Sequence, residues 1–176
     1  SIVGKLMWII NVRIDAAYSI KELARYASEP TYGHWKMLEH LLKYLKGTMN
    51  SVLKLSIDSI QSRNHVIDVI TDANWSERST SGGLIRISGF TIQSWSRTQQ
   101  QIALSSCESE FYGIVSGVIE AILVRTLLEE CGYTNTKIKA HTDSTSAQQL
   151  CSRTELGRIK HLNIRLLWIQ DKVKNG

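Results

Sequence analysis

Proline is almost missing from this 176-residue chain: Pro30 stands alone, beside eleven glycines, three cysteines and two phenylalanines. So little proline and ordinary glycine exclude collagen-like and proline-rich architectures. At 43% hydrophobic and 21% charged residues the composition is also unlike that of a disordered chain. One compact domain with an appendage is the expectation. Cys107, Cys131 and Cys151 are odd in number and share no CxxC spacing, which argues against a disulfide framework and a zinc site and for a reducing, intracellular compartment. No apolar run reads as long enough to cross a bilayer; the opening SIVGKLMWIINVRID is broken by Lys5, Asn11 and Arg13 and lacks the small-residue cleavage pattern of a secretory signal. No membrane partner is expected.

The charge is modest but uneven. Of the net +5, residues 1–55 hold eight Lys/Arg against four Asp/Glu, whereas residues 56–176 hold thirteen against twelve. A basic helical segment beside a near-neutral domain suits a polyanion such as nucleic acid. On charge alone, a solvated helix face explains the surplus better.

Residues 5–27 read as one helix, with Leu6, Ile9, Ile10, Ile14, Ala17 and Tyr18 at roughly helical spacing. SEPT at 28–31 interrupts it. Ser28 or Thr31 then caps a second helix with Pro30 in its first turn, and Trp35, Leu38, Leu41, Leu42 and Leu45 form a stripe that needs only burial to explain it, up to Gly47. Together they predict an N-terminal helical hairpin. From Ser51 the pattern shortens to strand-like runs: SVLKLSID, HVIDVITDANW, GGLIRIS and TIQSWS, with a tight turn at Ser88-Gly89-Phe90. A long helix follows over 105–131, with Cys107, Phe111, Ile114, Val115, Val118 and Ile122 on one stripe and Gly132 at its end. KIKAHTD at 137–143 reads as a strand running into a short helix from Ser144, and a last helical segment covers about 155–173. Such an order predicts an α/β fold with a mixed sheet and helices packed on it.

Three acids sit where chemistry could use them. Asp72 lies late in an apolar strand, Asp143 at the end of another, and Glu110 in the first turns of the long helix. Strand ends and helix starts leave open space above a rigid support. If the strands are neighbours the acids converge, and converging carboxylates need cations to neutralise them. With His141 the nearest imidazole and no thiolate cluster, magnesium is the expected ion. Two such ions ~3.5–4 Å apart would activate water against a phosphodiester. Each acid also has a plain explanation: Asp72 starts a turn, Asp143 caps the helix from Ser144, and Glu110 favours a helix dipole. Helical geometry does not choose between Glu108 and Glu110, which flank the apolar stripe at similar angles.

SIVGKLMWII, RIDAAYSIKELARYASEPTYGHWKMLEHLLKYLKGT, TDANWSERSTSGG, QSWSRTQQQIALSSCESEFYGI, HTDSTSAQQL and GRIKHLNIRLLWIQDKV, in that order, resemble the end of the Pol polyprotein of copia-type long-terminal-repeat retrotransposons. The resemblance covers nearly the whole chain. It implies that residues 1–50 are a helical hairpin following the reverse transcriptase palm, and that residues 51–176 are a ribonuclease H-like domain with a mixed five-stranded sheet and flanking helices. It further implies Asp72 and Asp143 as the first and third catalytic acids. Glu110 fits the second through the pattern Glu110-Phe111-Tyr112-Gly113. At the fourth position, where the family usually reads His-Ile-Asp, this chain has His161-Leu162-Asn163. Asn163 keeps one carbonyl oxygen for a metal but brings no charge and takes up no proton. His161 then becomes the group to assist product release.

The implied activity is a metal-dependent endonuclease that cuts the RNA strand of an RNA–DNA hybrid during reverse transcription, with two magnesium ions (manganese as a substitute) bound by Asp72, Glu110, Asp143 and Asn163. The implied partners are the hybrid and the reverse transcriptase part of the same polyprotein, in a cytoplasmic virus-like particle or the nucleus. Trp75, Trp95 and Arg97, with the basic run Arg153, Arg158, Lys160 and Arg165, would touch sugar and phosphate, although core packing accounts equally well for the tryptophans. Two alternatives stand beside this one. A decayed or domesticated remnant would bind nucleic acid without cutting it, a reading suggested by Asn163 and by the missing polymerase motif of an aspartate pair after an aromatic residue. An integrase- or transposase-type strand-transfer enzyme shares the carboxylate logic but places its glutamate last, which is not the order here.

Overall fold

The computed structural model describes residues 2–52, 66–153 and 167–175. Three short helices come first, α1 (Ile2–Met7), α2 (Ala17–Arg25) and α3 (Tyr32–Gly47), with a 3-10 turn at Ile14–Ala16. A meander β1 (Val66–Asn74), β2 (Thr80–Ile87) and β3 (Phe90–Thr98) leads to α4 (Ser106–Glu130), β4 (Lys137–His141), α5 (Thr145–Ser152) and α6 (Trp168–Asn175). The described strands form a mixed sheet in the order β3-β2-β1-β4, antiparallel in the meander and parallel between β1 and β4. This is the expected α/β arrangement with four described strands; SVLKLSID falls largely outside the described residues.

The single helix expected over 5–27 is broken. It stops at Met7 and resumes at Ala17, because a straight helix would hold Leu6 and Ile20 roughly 21 Å apart, whereas here both enter one cluster with Leu23, Leu38 and Leu41. Arg13 fixes the bend, its guanidinium binding Asp15 (2.8 Å) and the Thr48 hydroxyl (2.6 Å). Thr31, not Ser28, caps α3: its hydroxyl accepts from the His34 amide while the His34 ring accepts from the Thr31 amide. Pro30 therefore precedes the cap instead of entering the first turn. Within the predicted stripe only Leu38 and Leu41 are buried. Trp35 and Leu42 are exposed, as are Trp8 and Tyr32 nearby.

The turn between β2 and β3 is two residues long, with Ser88 and Gly89 both at positive φ (50° and 87°), the conformation that matches strand twist in a tight hairpin. α4 ends where Gly132 takes φ 90° and the Tyr133 amide reaches back to the Leu128 carbonyl. α4 is apolar on two sides. The stripe expected from sequence (Phe111, Ile114, Val115 and Val118) packs with Ala147, Leu150 and Ile169 of α5 and α6. A second stripe of smaller residues meets the sheet, Ala121 and Val124 joining Ile67, Val69, Ile85 and Trp95. Part of α4 is thus apolar and long enough, by length and composition, to cross a bilayer, which corrects the expectation that no run is; here two of its faces pack on the sheet and on α5 and α6, while Ile119, Leu123 and Leu127 are exposed.

Candidate metal centre

Side chains alternate along β1, and Ile67, Val69 and Thr71 point at α4. A Cβ on Gly117 of α4 would lie 2.7 Å from both Val69 Cγ1 and Thr71 Cγ2. Asp68, Ile70 and Asp72 therefore belong to the other face. β4 pairs with β1 only as far as Ile70↔His141, so the β1 backbone beyond that point has no β4 partner. Glu110 takes the place of one: its Oε1 accepts from the Ala73 amide at 3.1 Å. Asp143, two residues past the end of β4, completes the group. One carboxylate oxygen from each of Asp72, Glu110 and Asp143 lies within 4.8 Å of the others, Glu110 buried and the two aspartates exposed.

The plain explanations of the acids fit less well than the cluster. Ser144, not Asp143, caps α5, its hydroxyl accepting from the Ala147 amide. Asp72 is paired with Gly82 inside the ladder, two residues before the strand ends. Glu108 turns elsewhere: it is buried, accepts from the Leu104 amide (2.7 Å) and the Tyr112 hydroxyl (2.6 Å), and with burial raises the Tyr112 pKa. Packing thus brings Glu110, and not Glu108, to Asp72 and Asp143.

Electrostatics match a cation site. Burial raises the Glu110 carboxyl above its ordinary pKa, the Ala73 amide opposes that rise, and the charges of Asp72 and Asp143 add to it. Among the described residues no lysine or arginine pairs with any of the three acids. Among the described residues Glu110 Oε2 is buried without a hydrogen-bond partner, and such a carboxylate oxygen beside two more carboxylates is a donor set suited to a hard divalent cation.

The remaining residues singled out from sequence lie variously. Trp75, just past β1, is half exposed, with its indole N–H on the Ala103 carbonyl. Trp95 is 5% exposed within the sheet–α4 core, which corrects its reading as a contact. Arg97 pairs with Glu120, ten residues along α4 from Glu110 and so roughly 15 Å from it. Arg153 ends α5 and is exposed. Arg158, Lys160, His161, Asn163 and Arg165 lie outside the described residues. Sequence reasoning missed Asp68, whose Oδ1 lies 2.8 Å from His141 Nε2. Its position four residues before Asp72, on the same face of a period-two strand, was the available signal.

Comparison with known proteins gives three informative relatives. The chain is 28% identical over 180 residues, 98% of its length, to the retrovirus-related Pol polyprotein from transposon TNT 1-94 of Nicotiana tabacum, and 27% identical over 99% of its length to that from transposon RE2 of Arabidopsis thaliana. It spans only 13% and 12% of those two polyproteins. It is also 32% identical over 128 residues to secreted RxLR effector protein 161 of Plasmopara viticola, covering 69% of this chain and 87% of that protein. No family model and no solved structure matches.

Proposed function

We infer the activity of this chain from its kinship: it belongs to one family with RxLR effector protein 161 and is homologous, nearly end to end, with a segment of copia-type retrovirus-related Pol polyproteins. On that premise it is a ribonuclease H, a metal-dependent endonuclease that hydrolyses the RNA strand of RNA–DNA hybrids while a retrotransposon is reverse transcribed. The observation that carries this reading is the convergence of Asp72, Glu110 and Asp143 with one buried carboxylate oxygen left unpartnered. Neither a structural cap nor an ion pair accounts for all three.

Asp72, Glu110 and Asp143 would hold magnesium or manganese, with the Asn163 carbonyl as a fourth, neutral donor. A divalent ion bound there supplies water activation and charge stabilisation at the leaving oxygen. The chain supplies placement. Asp72 is fixed by the β1–β2 ladder, Glu110 by the Ala73 amide, and Asp143 by the capped start of α5. His161 would carry a proton during product release. The substrate, the reverse transcriptase partner and a cytoplasmic-particle or nuclear setting belong to the same proposal.

The test is incubation of the purified chain with labelled RNA–DNA hybrid, with and without magnesium or manganese. Metal-dependent shortening of the RNA is expected, and Asp72→Asn should abolish it at every metal concentration. Asn163→Asp, restoring a charged ligand, should lower the magnesium needed; an unchanged requirement would put position 163 outside the metal shell. A second reading, binding without cleavage, is favoured by the effector relative, in which the matched stretch makes up 87% of the protein and little else accompanies it. Salt-dependent hybrid binding without any cleavage would select that reading.

A further inference from the structure

The sheet face turned away from α4 is only partly covered. The N-terminal helices lie over β2 and β3, where the Lys21 ammonium meets the Thr80 hydroxyl at 2.7 Å and Asn11 and Ile14 share a cavity with Thr91 and Ser94. On β4 the same face is in solvent, with Lys137, Lys139 and His141 all exposed.

Strand register fixes what that face carries. Asp68 of β1 is paired with Arg86 of β2 and with Lys139 of β4, and paired residues project to the same side. Lys137, two residues before Lys139, and His141, two after it, follow on that side. Ile67, Ile85 and Ile138 turn to α4 instead. Three cations therefore surround one acid, and that acid is already bound, its Oδ1 lying 2.8 Å from His141 Nε2. Among the described residues no carboxylate pairs with Lys137, Lys139 or Arg86; the Arg86 guanidinium donates to the Gly89 carbonyl at 3.1 Å. Lysines on an edge strand also discourage pairing between sheets. Arg86 has no such use, because β2 is an inner strand of the described sheet.

Asp68 stands four residues before Asp72 on β1, which puts these cations roughly 13 Å from the acid cluster, about the rise of four nucleotides along one strand of a duplex. The face thus runs from carboxylates, which take an anion only through a cation, to ammonium groups that take one directly. A phosphodiester backbone supplies an anion at both places. We infer that the uncovered β1–β4 face is a track for the backbone of a nucleic-acid strand, with Lys137, Lys139 and Arg86 binding phosphates about four nucleotides from the one at the Asp72 cluster. The inference rests on the proposed nuclease reading for the anchor at Asp72 but not for the charge of the track. Groups that bind phosphates position a strand and read no base, so a duplex lying here keeps its pairing.

The test is binding of a fluorescently labelled RNA–DNA hybrid, two helical turns long, followed by anisotropy over a salt series without divalent metal; hybrid cleavage in magnesium is assayed separately. The parent chain should bind, with an affinity that falls steeply as salt rises. Lys137→Ala/Lys139→Ala should make the plot of log affinity against log salt shallower by about 0.9 for each lysine, and Arg86→Gln by a similar step. Lys137→Arg/Lys139→Arg should keep the parent slope. Lys43→Ala/Lys46→Ala removes the same charge from the exposed side of α3 and should leave the slope near that of the parent. Both lysines of β4 are exposed, so their double variant decides the matter even if Arg86→Gln, which loses its bond to Gly89, folds poorly. An unchanged slope in that double variant, equal losses from the two lysine pairs, or no hybrid binding at the lowest salt would overturn the track. So would anionic phospholipid vesicles that displace the hybrid through the same lysines, since the face would then be a membrane site. Binding through these lysines in a chain that cleaves no hybrid would keep the track and sink the nuclease. Magnesium-dependent cleavage with an unchanged slope would do the reverse.

Discussion

The two faces of the sheet follow different rules. On the α4 side, contact is so close that a Cβ at Gly83 would lie 2.3 Å from the Trp95 ring and 2.8 Å from the Ile70 carbonyl, and one at Gly117 would strike two side chains of β1. On the other side, one residue away, a Cβ on Gly82 would meet its nearest atoms only at 3.8 and 4.0 Å, and the Ser94 and Ser96 hydroxyls lack partners among the described residues. Atoms on the first face are placed by one another; atoms on the second are placed chiefly by the sheet. A rigid support on one side and unfilled space on the other is what a reactive site needs, and the three acids stand where the two meet.

The contrast is open to measurement. The largest effect should come from Phe111→Ala, which empties a fully buried position and should cost about 3–5 kcal/mol in urea denaturation, whereas Leu84→Ala on the open face should cost roughly 1 kcal/mol or less. Equal losses would mean that both faces are packed alike. Next come the adjacent glycines: Gly83→Ala should destabilise by about 1–3 kcal/mol through overpacking, while Gly82→Ala should stay within roughly 0.5 kcal/mol of the parent. The smallest effect concerns the hairpin over the open face. Its Asp15 is bound by Arg13 and by the Tyr44 hydroxyl (2.7 Å), and the Arg13 bond chiefly lowers the Asp15 pKa from 3.8 to about 2. A depressed folded pKa means a contribution present above the unfolded value and lost as pH falls through about 2. Asp15→Asn should therefore lower stability slightly at neutral pH, by less than roughly 1 kcal/mol for so exposed a pair, and the difference should vanish at the acid end of a pH series of melting curves.

Much of the fold was legible because local signals decided it. The meander, the Ser88-Gly89 turn and the limits of α4 follow from period, turn chemistry and capping preference, whereas the cap of α5 fell to Ser144 and not to the expected Asp143. The break between Met7 and Ala17 was not legible, since what bends the chain is a distant partner, Thr48 on Arg13, and a shared cluster with α3. The sheet side of α4 was also hidden: its residues are small, and hydrophobic size drew attention to the stripe that meets α5 and α6 instead. At the site, the residue types and their strand-end positions were readable, but the choice of Glu110 over Glu108 depended on an amide 37 positions away.

The bond from Ala73 to Glu110 makes the molecule its own indicator. That amide proton is tied to a carboxylate and adjoins Asp72 in the chain, so its resonance frequency and its exchange with deuterated solvent respond to the charge state of the cluster. A single peak in a nitrogen–proton spectrum would then test the proposed cation site, by whether and at what concentration magnesium moves it, with no substrate present and no label added to the site.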